Sequence, residues 1–459
     1  MKLKQDDIIN VKIIDLGMDG EGIGKIEDYI LFIPFALIGE EVKAKVTYVK
    51  KNLVFCNLIE VITPSEDRII PVCNRFMKCG GCDLLHLKYL KQLEWKKRSL
   101  EVLLRKNAGI IFPVDDTVAC STPNSYRNKI QLPFGMVNGK VAMGFFRENT
   151  HKIVSITKCF LHGEWAEKLI NIFISYANEN NLSVYDESTK KGILRHMVAR
   201  EIDRQLTIVV VTNNSVLPKT DLLIKKLDSA FGANYALYYS PKKTHDNVIM
   251  GDTVIPIKEK KIVTDILGIK TEINPFSFLQ LNNEIRDKIY LKVINEICKN
   301  DISPLVIDAY AGVGIIGAVL AKNGAEAYNI EIVKEATEDG IKLAAENNLK
   351  DKITNINGDA AQELPKLINC LLANQNNQSR TLNIILDPPR KGCAPEVLYA
   401  ISSLSIPHNV YYISCNPATL SRDLKLLPTH TINSITPYDM FPNTKHLETL
   451  VCLTRKWSK

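Results

Sequence analysis

The last third of the chain constrains the fold most, because there short apolar runs alternate with helical stretches and each run ends in a polar motif. Leu305-Val306-Ile307-Asp308 leads into Ala309-Tyr310-Ala311-Gly312-Val313-Gly314, with a helical stretch from Ile315 to Lys322 behind it. Ala327-Tyr328-Asn329-Ile330 ends in Glu331, Ile384-Ile385-Leu386 runs into Asp387-Pro388-Pro389-Arg390, and Val410-Tyr411-Tyr412-Ile413 runs into Ser414-Cys415-Asn416-Pro417. A final apolar run covers Thr449 to Leu453. Short strands separated by helices predict a parallel, doubly wound α/β sheet. In such sheets ligands bind beyond the C-terminal ends of the strands. The pattern therefore predicts one site along one sheet edge, in a domain spanning 266–459.

Upstream the cadence differs. Over residues 1–62, Ile9, Val11 and Ile13 alternate with polar residues, followed by a glycine-rich stretch from Gly17 to Gly24 and the apolar run Tyr29 to Ile33. This predicts a small β-barrel. The glycine stretch leads into a strand rather than a helix, so it is expected to be turn geometry and not a phosphate loop. Residues 63–265 hold a cysteine-rich segment, a basic helix around Trp95-Lys96-Lys97-Arg98 and strand-like runs such as Leu206 to Val211, which predict a central α+β domain. From Arg75 to Lys106 there are nine basic residues against three acidic ones, as a solvated helix face or an RNA phosphate surface would have. Leu371 to Arg380, rich in Asn and Gln, is expected to be a surface insertion.

The whole chain carries 58 basic and 51 acidic residues, a net charge of +7 that permits an acidic partner without requiring one. Its N-terminus lacks an apolar run, which predicts no secretory leader. No stretch approaches the roughly 20 apolar residues of a membrane span. A cytoplasmic location without membrane or obligate protein partner is expected, and the 11 cysteines are read as ligands, nucleophiles or core residues rather than disulfides.

Gly312, Gly314 and Gly317 fit G-x-G-x-x-G, so this turn alone suits a methyl donor, a dinucleotide or plain turn geometry. Glu331, at the next strand end, suits ribose hydroxyls in either ligand. Enzymes acting on exocyclic amines commonly carry an aromatic residue after such a Pro-Pro pair; Arg390 stands there instead, which argues against an amine target. Cys415, on a turn fixed by Pro417, has the placement of a nucleophile. A thiolate added to carbon 6 of uracil makes carbon 5 nucleophilic, and a base must later remove the carbon 5 proton. Glu448, directly before the final apolar run, is the expected base, with His446 as the alternative. Cys73, Cys79 and Cys82 with the distant Cys159 form a four-thiol set suited to zinc or an iron–sulfur cluster, and the spacing favours the cluster.

Assembled, these residues resemble the RNA uracil-5-methyltransferase family, in its TRAM-bearing, cluster-containing branch that modifies 23S ribosomal RNA. Ser-Cys-Asn-Pro-Ala-Thr-Leu at 414–420 resembles the nucleophile motif, and the Phe-Pro…His-Leu-Glu segment ending at Glu448 the general-base motif. Phe278-Leu279-Gln280-Leu281-Asn282 is similar to F-x-Q-x-N. The resemblance implies S-adenosylmethionine as donor, held by Gln280, Tyr310, Glu331 and Asp387 in a Rossmann-like class I methyltransferase domain. It also implies a [4Fe–4S] cluster on Cys73, Cys79, Cys82 and Cys159, an OB-like TRAM barrel at 1–62, and RNA-facing segments at 126–129 and 144–147. Transfer RNA is the alternative substrate. A non-catalytic RNA-binding module is a rival reading, as is radical chemistry, but the latter needs a three-cysteine motif that leaves one iron open.

Overall fold

A computed structural model describes residues 2–147, 150–246, 248–299, 303–377 and 380–455. The first five strands, β1 (Ile8–Leu16), β2 (Gly22–Ile26), β3 (Tyr29–Ile33), β4 (Glu41–Lys50) and β5 (Leu53–Thr63), close into a barrel. Alternation places Ile9, Val11, Ile13, Leu31, Ile33, Val42, Ala44 and Val46 inside. The glycine stretch is the turn between β1 and β2, with Gly20 in the left-handed region at φ +81°.

Along helix α1 (Tyr89–Leu103) and its flanks most cations of the basic segment are exposed or half-buried, as on a solvated face, with one exception. Lys96 is fully buried and its Nζ donates to Asp439 Oδ1, while Lys97 pairs with Asp116 and Arg98 with Asp15. The helix continues as a π-turn (Leu104–Ala108), and Leu100 and Leu104 join the buried cluster of Leu305, Ile384 and Val410 from the C-terminal sheet. A short-range charge count could not see that Lys96 is buried against a carboxylate 343 positions away.

The middle of the chain forms one seven-stranded sheet. It consists of β6 (Lys129–Val137), β7 (Lys140–Phe146), β8 (Ile153–Ser155), β9 (Leu194–Ile202), β10 (Gln205–Asn213), β11 (Tyr235–Lys242) and β12 (Ile255–Lys258). The order is β12-β11-β10-β9-β6-β7-β8. Helices α2 (Glu164–Glu179) and α3 (Thr220–Phe231) cover one face, burying Phe173, Tyr176 and Leu227 against Ile130, Ile208 and Leu237. The opposite face, carrying Lys129, Gln131 and Arg200, looks into a cavity.

A hairpin, β13 (Val263–Ile266) and β14 (Ile269–Glu272), and helix α4 (Asn283–Cys298) lead into the C-terminal layer. There β15 (Leu305–Asp308), α5 (Ile315–Lys322), β16 (Glu326–Glu331), α6 (Lys334–Glu346), β17 (Ile353–Asn357), α7 (Ala360–Ala373) and β18 (Leu382–Leu386) follow in turn. Then come α8 (Pro395–Ser403), β19 (His408–Ser414), α9 (Pro417–Leu424), β20 (Thr431–Tyr438) and β21 (Glu448–Arg455). The sheet order is β17-β16-β15-β18-β19-β21-β20. β15, β16, β18 and β19 are parallel as predicted, with β17, not recognised from the sequence, parallel to β16; β21 runs antiparallel to β19, and β20, likewise not recognised, pairs antiparallel with β21. The sheet is mixed, not all parallel. That reversal matters: it brings the start of β21 to the edge where β19 ends, with Ser414 opposite Thr449. Of the expected insertion, 371–373 belong to α7 and 378–379 lie outside the described residues. Among the described residues no helix is long and apolar enough to cross a membrane.

Candidate active site

The turn after β15 is shaped by three glycines with different reasons. Gly312 and Gly314 have φ of +57° and +76°, where side chains are strained. A Cβ on Gly314 or Gly317 would stand 2.4 Å and 2.2 Å from the Asn329 side chain, so both are required by packing of α5 on β16. Gly312 would meet nothing within 4 Å and opens on the cavity. Its N–H donates to Glu331 Oε2 at 2.8 Å, and the Val333 N–H donates to Oε1 at 2.8 Å, which fixes the carboxylate at the end of β16. Asp308, only 2% exposed, keeps Oδ1 without a partner. Burial pushes its carboxyl up to about 8, helped by repulsion from Asp387 and Glu331.

The next two motifs are tied together. Pro417 is the first residue of α9, and Asn416 caps that helix by accepting from the Ala418 N–H at 3.1 Å. Asn416 Nδ2 and Thr419 Oγ1 donate to the Arg390 carbonyl at 3.1 Å and 3.4 Å, joining the cysteine turn to the Pro-Pro-Arg turn. Cys415 is half-buried and free. Burial pushes its thiol up to about 11, with Glu448 and Asp387 adding repulsion and Arg390 opposing them. Glu448 is 1% exposed, and neither carboxylate oxygen has a hydrogen-bond partner. Burial and Asp387 raise its carboxyl well above the usual range, against the pull of Arg390. Burial likewise raises Asp387.

One cavity of about 1800 Å³ collects Gln280, Tyr310, Glu331, Asp387, Cys415 and Glu448, all six residues read from the sequence for this site. Gln280 lies on the segment before α4, with the exposed Phe278 beside it and Asn282 capping the helix. Tyr310 accepts at its hydroxyl from the Ala394 N–H. His446 also lines the cavity, pushed down to about 4 by burial and by Arg390. Asp308 and Arg390 belong to the same cavity and were not assigned a place in the site from sequence. Arg390 was legible only as a cation beside Pro-Pro; Asp308 was legible as the charged end of an apolar strand.

The loop that carries Glu448 is held from outside the sheet. Asp83 and Leu84 N–H donate to Asn443 O, Gln92 exchanges hydrogen bonds with Asn443 N–H and Oδ1, and the Lys445 N–H donates to Asp83 Oδ2. Tyr126 OH donates to Pro442 O, and Arg127 Nε donates to Tyr126 OH. Asn128 donates to Gln280 O. Of the segment 126–129, then, three residues brace the site and only Lys129 faces the cavity.

The cysteine set lies just behind this brace. Burial raises Cys79, Cys82 and Cys159, Cys159 to about 11, and each is raised further by neighbouring thiols of the set, while Arg127 opposes. Four thiols from two distant segments thus share one neighbourhood. Among the described residues, however, no three His, Cys, Asp or Glu side chains form a group that could hold a metal ion, so the expected centre is gathered but not closed.

The C-terminal region, residues 252–456, matches the tRNA (Uracil-5-)-methyltransferase family model, and residues 3–59 match the TRAM domain. An uncharacterized RNA methyltransferase of Clostridium tetani is 36% identical over 98% of this chain and 97% of its own length. One from Staphylococcus epidermidis is 34% identical over 99% of both chains. The crystal structure of Pyrococcus abyssi tRNA (uracil-54, C5)-methyltransferase, in complex with S-adenosyl-L-homocysteine, is similar with a TM-score of 0.76 and 26% identity, covering 97% of this chain and 99% of that one. With a TRAM barrel, a class I methyltransferase sheet and full-length kinship of this kind, the chain belongs to the RNA uracil-5-methyltransferase family.

Proposed function

We propose that this protein transfers a methyl group from S-adenosylmethionine to carbon 5 of a uridine in 23S ribosomal RNA, through a covalent bond from Cys415. The observation that carries the reading is the meeting of Cys415 with Glu448, whose carboxylate oxygens lack partners, in the cavity that holds Gly312 and Glu331. A buried carboxylate with no internal partner is costly and is retained where something else must use it.

S-adenosylmethionine would supply the methyl group and, in its sulfonium, a cation that suits Asp308, Asp387 and Glu331. On this reading Glu331 holds the ribose, Gln280 and Tyr310 flank the donor, and Asp387 stands between donor and base. The Cys415 thiolate adds to carbon 6, and the ring electrons move onto carbon 4 oxygen as an enolate. Carbon 5 then takes the methyl group as the donor's carbon–sulfur bond breaks. Glu448 removes the proton from carbon 5, and the electron pair expels the thiolate to restore the aromatic ring. Arg390 is the cation that draws both the thiol and Glu448 toward their charged forms. Cys73, Cys79, Cys82 and Cys159 are proposed to hold a [4Fe–4S] cluster; an all-thiol donor set in one neighbourhood supports it. The proposed domains are 1–62, 63–265 and 266–459.

Methyl transfer to carbon 5 must release the hydrogen there. RNA labelled with tritium at carbon 5 of uridine should therefore lose label to water when protein and S-adenosylmethionine are added, and donor turnover without label release would exclude the reading. Transfer RNA is a second substrate reading, favoured by the likeness to the Pyrococcus abyssi tRNA (uracil-54, C5)-methyltransferase. Mapping 5-methyluridine in both RNAs from cells lacking the gene separates the two.

A further inference from the structure

The cavity carries charge of both signs, with Arg390 and Lys391 after β18 and Asp252 beside the central sheet among its lining. Its floor, at the ends of β15, β16 and β18, carries Asp308, Glu331 and Asp387; its opposite wall, the open face of the central sheet, carries Lys129 and Arg200. These two are direct partners across β6 and β9, which puts their side chains side by side on one face. Like charges so placed repel. Arg200 is 7% exposed; its Nη1 donates to the Ser277 carbonyl at 2.8 Å, and its buried Nε has no partner. No carboxylate pairs with either cation among the described residues. Burial and Arg200 bring Lys129 down to about 8, and burial brings Arg200 down to about 10. Gln131, two residues along β6 on the same face, adds an amide to the wall.

A fold gains nothing by itself from a buried cation beside a half-buried one that repels it, so an external anion is the group that makes this wall favourable. We infer that Lys129 and Arg200, with Gln131 beside them, seat an RNA phosphodiester adjacent to the target uridine. This rests on the function proposed above. The donor's cationic part suits the acidic floor; of the two anions that would enter this cavity, the donor's carboxylate and the uridine's backbone phosphate, the phosphate is the one assigned to this wall. A guanidinium fork and an ammonium point charge are the usual pair for such an oxygen. The seat would fix the nucleotide while its base is turned toward Cys415.

The test uses full-length wild-type, Lys129→Gln and Lys129→Arg proteins, with 23S ribosomal RNA transcript and bulk transfer RNA as probes across a salt series. S-adenosyl-L-homocysteine titration and thermal melting of the free proteins run beside it. For whichever RNA wild type methylates, Lys129→Gln should bind about tenfold more weakly, with the slope of log affinity against log salt reduced by about 1. Its affinity for S-adenosyl-L-homocysteine should be unchanged, Lys129→Arg should restore RNA binding, and Lys129→Gln should melt at a higher temperature because repulsion of Arg200 is gone. An unchanged salt slope, a lower melting temperature, or weaker binding of S-adenosyl-L-homocysteine with RNA binding intact overturns the inference. The last outcome would make the pair a seat for the amino-acid carboxylate. If wild type methylates neither RNA, the function itself has failed; if wild type methylates and Lys129→Gln matches it throughout, only the phosphate seat has.

Discussion

Asp308 shows how one residue can be held in the state that suits a ligand at the expense of the free fold. Its carboxyl, at about 8 in the folded chain, has an unfolded value near 4. The folded state therefore binds the extra proton between those values, and its stability contribution, complete below about pH 4, is lost as pH rises through about 8. Asp308→Asn removes that dependence. Its melting temperature without donor should exceed wild type by about 3 °C at pH 8 and match it near pH 4. A parallel pair of melting curves would show that Asp308 is not protonated in the free protein. Cys415 and Glu448 could be read from sequence because each sits in a motif at a strand boundary. Lys129 and Arg200 could not: 71 positions apart, they become a pair only through the register of β6 and β9.

At the scale of elements, the stretch from Asp439 to Leu447 determines where Glu448 sits. It is bound to α1 by the buried Lys96–Asp439 pair and by Gln92, and to the cysteine hairpin by Asp83 and Leu84. Gln92→Ala should leave Asn443 unsatisfied and cost about 1–2 kcal/mol in urea unfolding. It should also lower kcat about tenfold by loosening the base, with S-adenosyl-L-homocysteine affinity unchanged. A loss confined to donor binding would mean the brace serves another purpose. Gly317→Ala, which drives a methyl group against Asn329, should cost about 1–3 kcal/mol without altering the thiol's reactivity toward iodoacetamide. The strand–helix alternation was legible for β15, β18 and β19 because those strands are buried and largely apolar on both faces, and not for β17, whose Ile-Thr-Asn-Ile-Asn is half exposed. The reversal of β21 was not, since an apolar strand reads the same in either direction.

Across the whole molecule, the barrel and the two seven-stranded sheets converge on the same few loops. Lys445 reaches the barrel turn at Asp19 at 3.0 Å, Trp95 Nε1 donates to Gly17 O, and the central sheet supplies the basic wall. A disturbance of the cysteine neighbourhood should thus be felt at Glu448. Anaerobically purified protein is expected to carry iron and acid-labile sulfide in equal amounts, both lost in Cys159→Ser together with most of kcat. Zinc alone in the wild type would replace the cluster by the other metal its thiols suit. Composition and charge said little about any of this, because Lys96 meets Asp439 from far away in sequence and Lys129 meets Arg200 only through strand register.

The central claim is a bond between the Cys415 sulfur and carbon 6 of a uracil. RNA containing 5-fluorouridine, which has no proton at carbon 5 for Glu448 to remove, should leave that bond in place once the methyl group has moved. Intact-mass measurement of protein incubated with this RNA and S-adenosylmethionine, followed by nuclease and peptide mapping, should find a methylated fluorouridine on Cys415 and none in Cys415→Ala. A methylated RNA product with no protein adduct, or an adduct on another residue, would contradict the account.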